Sequence, residues 1–82
     1  MDKIYVFGGC FYNNEDDYYT SINSCLQFDT KKESWKTIAR LKKARGNAAC
    51  VVFNGNIVIS GGMENDNIVL NTVESYDVFG DK

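Results

Sequence analysis

Three cysteines, Cys10, Cys25 and Cys50, are the side chains most able to do covalent chemistry, and no histidine accompanies them. Without an imidazole the usual nucleophile and base pairs cannot form, so acyl or phosphoryl transfer through such a pair is not expected. An odd number of widely spaced thiols does not make a disulfide framework and fits a reducing compartment. No C-x-x-C pair is present, which leaves little support for structural zinc. The thiols therefore read as buried structural groups, with Cys10, on a loop, the most open to reaction. The acids of residues 10–22, Glu15, Asp16 and Asp17, lack the glycine and the closing glutamate of an EF-hand loop. No glycine-rich run is long enough to cradle a phosphate, and no metal or cofactor is expected.

Two clusters remain. Lys36, Arg40, Lys42, Lys43 and Arg45 form the only basic one; it suits either a phosphate or acidic-peptide contact, or a solvated turn that balances the acids. Phe11, Tyr12, Tyr18 and Tyr19 surround Asn13, Asn14 and the three acids. Rigid rings mixed with acids and amides on a loop make a recognition surface at low entropic cost, and they equally suit a solvated loop whose rings pack back on a sheet. The net charge of −2 opposes a bulk electrostatic role on nucleic acid or membrane. No apolar run reaches the roughly 20 residues of a membrane helix. The expectation is a cytoplasmic protein.

These groups must be positioned by a repeated element. Ile57-Val58-Ile59-Ser60-Gly61-Gly62 echoes Ile4-Tyr5-Val6-Phe7-Gly8-Gly9, 53 residues earlier, and Tyr76-Asp77 echoes Phe28-Asp29, 48 residues earlier. Four residues of high β-propensity before a glycine pair read as a strand that ends where the backbone needs positive φ or close approach. The difference between the two offsets is absorbed by residues 10–22, a longer connection than residues 63–70. A period of this size belongs to propellers and solenoids, whose units cannot bury their apolar faces alone.

Residues 54–56, Asn54-Gly55-Asn56, carry the strongest short-range hairpin signal. Residues 31–45 could also be a helix, since Thr30 and Glu33 suit a capping box and Trp35, Ile38 and Leu41 recur at helical spacing. The repeat argues against it, because the matching second segment carries Gly80 where the helix would begin. The chain begins within a turn and stops one position before the tryptophan that the offset of 48 requires, so it reads as a fragment of a longer array.

The glycine pairs, the aromatic-Asp pairs, Trp35 seven residues after Phe28, and Ala44-Arg45 before the next strand together resemble the kelch repeat. Thr30, Val78 and Ala44 stand where that repeat often has proline. The resemblance implies an all-β fold, an incomplete β-propeller of antiparallel four-stranded blades, present as two partial blades of about six strands. Residues 1–45 would supply strands two to four of one blade and residues 46–82 strands one to three of the next. The small residues Ala48, Ala49 and Cys50 would line the crowded innermost strand, and Trp35 would fill the gap between blades.

The same resemblance implies a protein-binding module rather than an enzyme. Many such propellers belong to adaptors with a BTB domain that bring substrates to a cullin-3 ubiquitin ligase; others bind actin. Carried over by position, Cys10, Phe11, Tyr12, Arg45, Asn47, Met63 and Glu64 would face the protein partner, with dimerisation left to another domain of the parent protein. Two incomplete blades would expose sheet edges and apolar faces, and self-association of the isolated polypeptide is expected.

Overall fold

The computed structural model describes residues 2–15, 18–65 and 68–82. Strands β1 (Lys3–Asn13), β2 (Tyr18–Asp29) and β3 (Ser34–Ile38) form one antiparallel sheet in that order. Strands β4 (Ala49–Phe53), β5 (Asn56–Ser60) and β8 (Val73–Tyr76) form a second, and β6 (Met63–Glu64) and β7 (Ile68–Val69) make a small hairpin between β5 and β8. No helix occurs among the described residues. The helical periodicity of residues 31–45 is satisfied instead by β3 and an extended connection, with Leu41 N–H bonded to the Asn23 carbonyl at 2.9 Å.

The repeat survives in the register. Ile4 stands opposite Phe28 and Val6 opposite Leu26, while Ile57 stands opposite Tyr76 and Ile59 opposite Glu74. Both offsets are therefore structural equivalences. The aromatic-Asp pairs also share a role, since each aspartate folds the turn that follows it. Asp29 Oδ1 accepts the N–H groups of Lys31 and Lys32, and Asp77 Oδ1 accepts that of Phe79 at 3.0 Å. The Lys3 ammonium at 2.7 Å, together with those two amides, holds the Asp29 carboxyl at about 2.

The side-chain alternation of each strand gives each sheet two apolar faces. Tyr5, Phe7, Cys25 and Ile38 of the first sheet pack on Ile57, Ile59 and Tyr76 of the second, with Leu41 from the connection. The Phe7 and Tyr76 rings meet edge to face, centroids 5.4 Å apart. Tyr76 is fixed further by donating its hydroxyl to Asp81 at 2.9 Å, and Asp81 also accepts the Ala39 N–H.

Four sequence expectations change. The glycine pair does not end the first strand: pairing shifts at a bulge between Phe7 and Gly9 and continues to Asn13 opposite Tyr18. Residues 10–22, expected as a loop, are mostly a projecting β-hairpin. The innermost strand is not crowded, because β4 is an edge strand with all five residues exposed. Of the thiols, only Cys25 is buried; Cys10 and Cys50 are exposed.

Trp35 faces outward from these two sheets. It lies on the face turned away from the second sheet, 59% exposed, its ring 4.9 Å from that of Phe28. Trp35 and Ile38 are an odd number of positions apart, so a strand that buries Ile38 between the sheets must turn Trp35 outward. Trp35→Ala in the 82-residue chain should cost about 1 kcal/mol, the worth of one aromatic pair. Urea denaturation checks this, and a loss above about 3 kcal/mol would put the ring in a core.

Candidate interaction surface

The hairpin of β1 and β2 carries its rings into solvent. Phe11, Tyr12, Tyr18 and Tyr19 are each exposed, and Tyr12 and Tyr19, cross-strand partners, touch edge to face with centroids 5.3 Å apart. Cross-strand ring pairs stiffen a two-stranded ribbon without burying it.

At its base the hairpin is clasped to the β6–β7 hairpin through Ser21. Its hydroxyl donates to the Met63 carbonyl at 2.8 Å and accepts the Asn65 N–H at 2.9 Å, while its own N–H donates to Asn65 Oδ1 at 3.1 Å. Gly46 and Met63 exchange backbone hydrogen bonds at 2.9 Å in both directions. Around this junction lies a cleft of about 390 Å³ lined by Cys10, Tyr19, Ser21, Asn47, Met63 and Asn65, with Gly46 in its floor. Asn47 reaches it from a left-handed backbone, φ 55°, which asparagine tolerates better than most residues.

Both glycine pairs support the same junction. A Cβ on Gly8 would stand 2.5 Å from the Arg45 carbonyl oxygen, and one on Gly62 would stand 2.5 Å from that of Gly46. The Gly9 N–H donates to the Arg45 carbonyl at 2.7 Å. Residues 45 and 46 are thus gripped from the first repeat on one side and the second on the other, which is why no side chain fits at Gly8 or Gly62.

Of the seven residues expected to face a partner, Cys10, Asn47 and Met63 line the cleft, and Phe11 and Tyr12 are exposed on the adjoining hairpin. Glu64 is half-buried on β6 beside Met63. Arg45 lies elsewhere: its side chain is 1% exposed and wholly engaged inside the protein. Nε donates to Glu74 at 3.1 Å, Nη1 to the carbonyls of Gly61 and Thr72, and Nη2 to the Thr72 hydroxyl at 2.7 Å. A guanidinium buried with four acceptors braces the ends of β5 and β8, and at 1% exposure it is out of a partner's reach.

Tyr19, Ser21 and Asn65 were not expected in the cleft. Ser21 is placed by the bulged continuation of β1 and β2 and Asn65, at φ 61°, by the turn after β6, and only the Asn in a short turn hints at it in the sequence.

The basic cluster is dispersed by the fold. Lys36, Arg40, Lys42 and Lys43 are exposed, whereas Arg45 is internal. Arg40, Lys42 and Lys82 border a cleft of about 280 Å³ between the sheets, but Glu74 lies in its wall and opposes an anion there. Burial pushes the Cys25 thiol up, as partial desolvation does for Cys50, so neither is poised as a nucleophile. No group of three or more Cys, Asp or Glu among the described residues is arranged to hold a metal ion, and none of their helices is long and apolar enough to cross a membrane.

The Kelch motif family model matches residues 2–42 and 44–78, one match for each repeat seen in the register. The chain belongs to the kelch-repeat family. Its two sheets are accordingly kelch propeller blades, each with three of its strands in the chain. Human Kelch-like protein 30 is 38% identical over 80 residues, covering 98% of this chain and 13% of that protein. Spermatocyte protein spe-26 of Caenorhabditis elegans is 36% identical over 80 residues, covering 95% and 14%. An F-box/kelch-repeat protein of Arabidopsis thaliana is 33% identical over 75 residues, covering 92% and 19%. The chain thus spans less than a fifth of the length of each of these relatives.

Proposed function

We propose that this chain is part of a cytoplasmic protein-interaction propeller, the substrate-holding portion of a BTB-kelch adaptor for a cullin-3 ubiquitin ligase, and not an enzyme. The observation that carries the reading is the junction of the two repeats. A cleft bordered by Cys10, Asn47 and Met63 opens beside exposed rings on a stiff hairpin, and the main chain of residues 45 and 46 is held at its base by both repeats. Rigid aromatic anchors next to a shaped recess are what protein recognition uses. The family match and the kelch-like relatives support the adaptor role.

The test is made in the complete protein that carries this segment. Phe11→Ala with Tyr12→Ala should weaken capture of a ubiquitylated partner at least about tenfold, the effect of truncating interface anchors, while cullin-3 still co-purifies. Undiminished capture would remove the hairpin from the binding surface. Binding of actin filaments, lost in the same variant, would replace the adaptor reading with a cytoskeletal one.

A further inference from the structure

The pairing of β1 with β2 divides the rings of their hairpin between its two faces. Residues directly opposite one another in an antiparallel pair share a face, and successive pairs alternate. Cys10 with Ser21 and Tyr12 with Tyr19 therefore stand on one side, and Phe11, Thr20 and Tyr18 on the other. Cys10, Tyr19 and Ser21 all line the cleft at the junction of the repeats, so the cleft side is the one that carries the Tyr12 and Tyr19 pair. Phe11 and Tyr18 are on the far side. Both repeats supply the walls, all from within residues 10–65.

The lining itself is uncharged. Ser21, Asn47 and Asn65 are its polar side chains, beside the sulfurs of Cys10 and Met63 and the Tyr19 ring, and none of the nine Lys and Arg residues is among them. The charge around it has one sign. Residues 10–22 hold three acids and residues 63–70 hold two, and neither segment holds a lysine or an arginine. Arg40 and Lys42 border the other cleft, between the sheets, and Arg45 is spent on Glu74. A field of this kind over an uncharged recess draws in a positive partner and turns away an acidic one. The rings act in the same direction, because the negative face of tyrosine attracts a guanidinium or ammonium lying within about 6 Å of its centroid.

We propose, resting on the interaction surface described above, that this cleft takes an arginine- or lysine-bearing stretch of peptide from a protein partner, its cation seated against the Tyr12 and Tyr19 rings. At about 390 Å³ the cleft admits a side chain or two, not a whole helix.

Selection of a phage-displayed library of random short peptides against the complete protein that carries this segment tests it. Enriched peptides should contain arginine or lysine and lack aspartate and glutamate. A synthetic peptide of the most enriched sequence should bind at least about tenfold more weakly once its basic residues are replaced by glutamine. It should lose at least about fivefold against Tyr12→Leu with Tyr19→Leu, which keeps apolar area and removes both rings. Phe11→Ala, on the far face, and Tyr19→Phe, which keeps the ring, should bind it as the wild type does. Circular dichroism confirms that the variants keep their strands, and Tyr19→Leu alone repeats the measurement if the double variant fails to fold. An absence of enriched basic peptides, or basic ones whose binding ignores both tyrosines, overturns the proposal. Acidic or uncharged peptides that depend on the tyrosines would overturn it too while leaving the interaction surface standing, whereas peptides indifferent to Phe11→Ala with Tyr12→Ala would remove both.

Discussion

Arg45→Ala is expected to remove a large share of the chain's stability. Removing one member of a buried ion pair costs about 3 to 5 kcal/mol because the other charge is left uncompensated. A domain of this size holds only about 4 to 12 kcal/mol in total. Here the loss strands Glu74 and deprives the Gly61 and Thr72 carbonyls of their donor. Arg45→Lys should not rescue it, since an ammonium cannot reproduce a fork that serves four acceptors at once. Urea denaturation followed by circular dichroism measures both, and a loss below about 1 kcal/mol would return Arg45 to the surface.

The same pair sets an acid limit. Burial works to raise the Glu74 pKa, but the N–H groups of Lys42 and Lys43 and the Arg45 guanidinium outweigh it, and the carboxyl is held below its ordinary value. A carboxylate depressed in the folded state contributes stability that is present above its unfolded pKa and lost as pH falls through the folded one. Wild-type stability should therefore fall from about pH 4 downward, and Glu74→Gln should flatten that part of the profile.

Gly8→Ala and Gly62→Ala are expected to cost about 2 to 4 kcal/mol each, combining left-handed strain with overpacking against main chain. The φ values are 63° and 86°, and in both places the added carbon would meet a carbonyl oxygen that is itself held in the junction. Gly55→Ala is the control. Gly55 has φ 80° but open space around it, so only the strain remains and the loss should be about 1 kcal/mol. Equal losses at all three positions in thermal or urea unfolding would show that the contacts with residues 45 and 46 do not matter.

How much of this was legible in the sequence depended on whether the signal was local. The hairpin at Asn54 and Gly55 was, because both residues take the positive φ that the turn demands, 52° and 80°. The repeat was as well, since equal spacing of Ile4 and Phe28 against Ile57 and Tyr76 becomes equal pairing. The glycine pairs were half legible: their need for close approach was right, but a bulge lets the strand run on past Gly9, and nothing local distinguishes a bulge from a stop. Arg45 was misplaced for a different reason. Its acceptors lie 16 to 29 residues away and most are main-chain or hydroxyl oxygens, which leave no complementary charge pattern to read. Trp35 was assigned to a gap between blades, but only the packing shows which side of its strand that gap is on.

The central claim is that two copies of one unit, equally registered, meet through opposite faces. Nuclear Overhauser contacts between aromatic rings in solution test it most directly. The structure predicts contacts from the Tyr76 ring to those of Phe7 and Tyr5, at centroid separations of 5.4 and 6.0 Å, together with cross-strand contacts pairing Ile4 with Phe28 and Ile57 with Tyr76. A Tyr76 ring in contact with Phe28 or Trp35 instead, or a sequential helical pattern through residues 31–45, would contradict it.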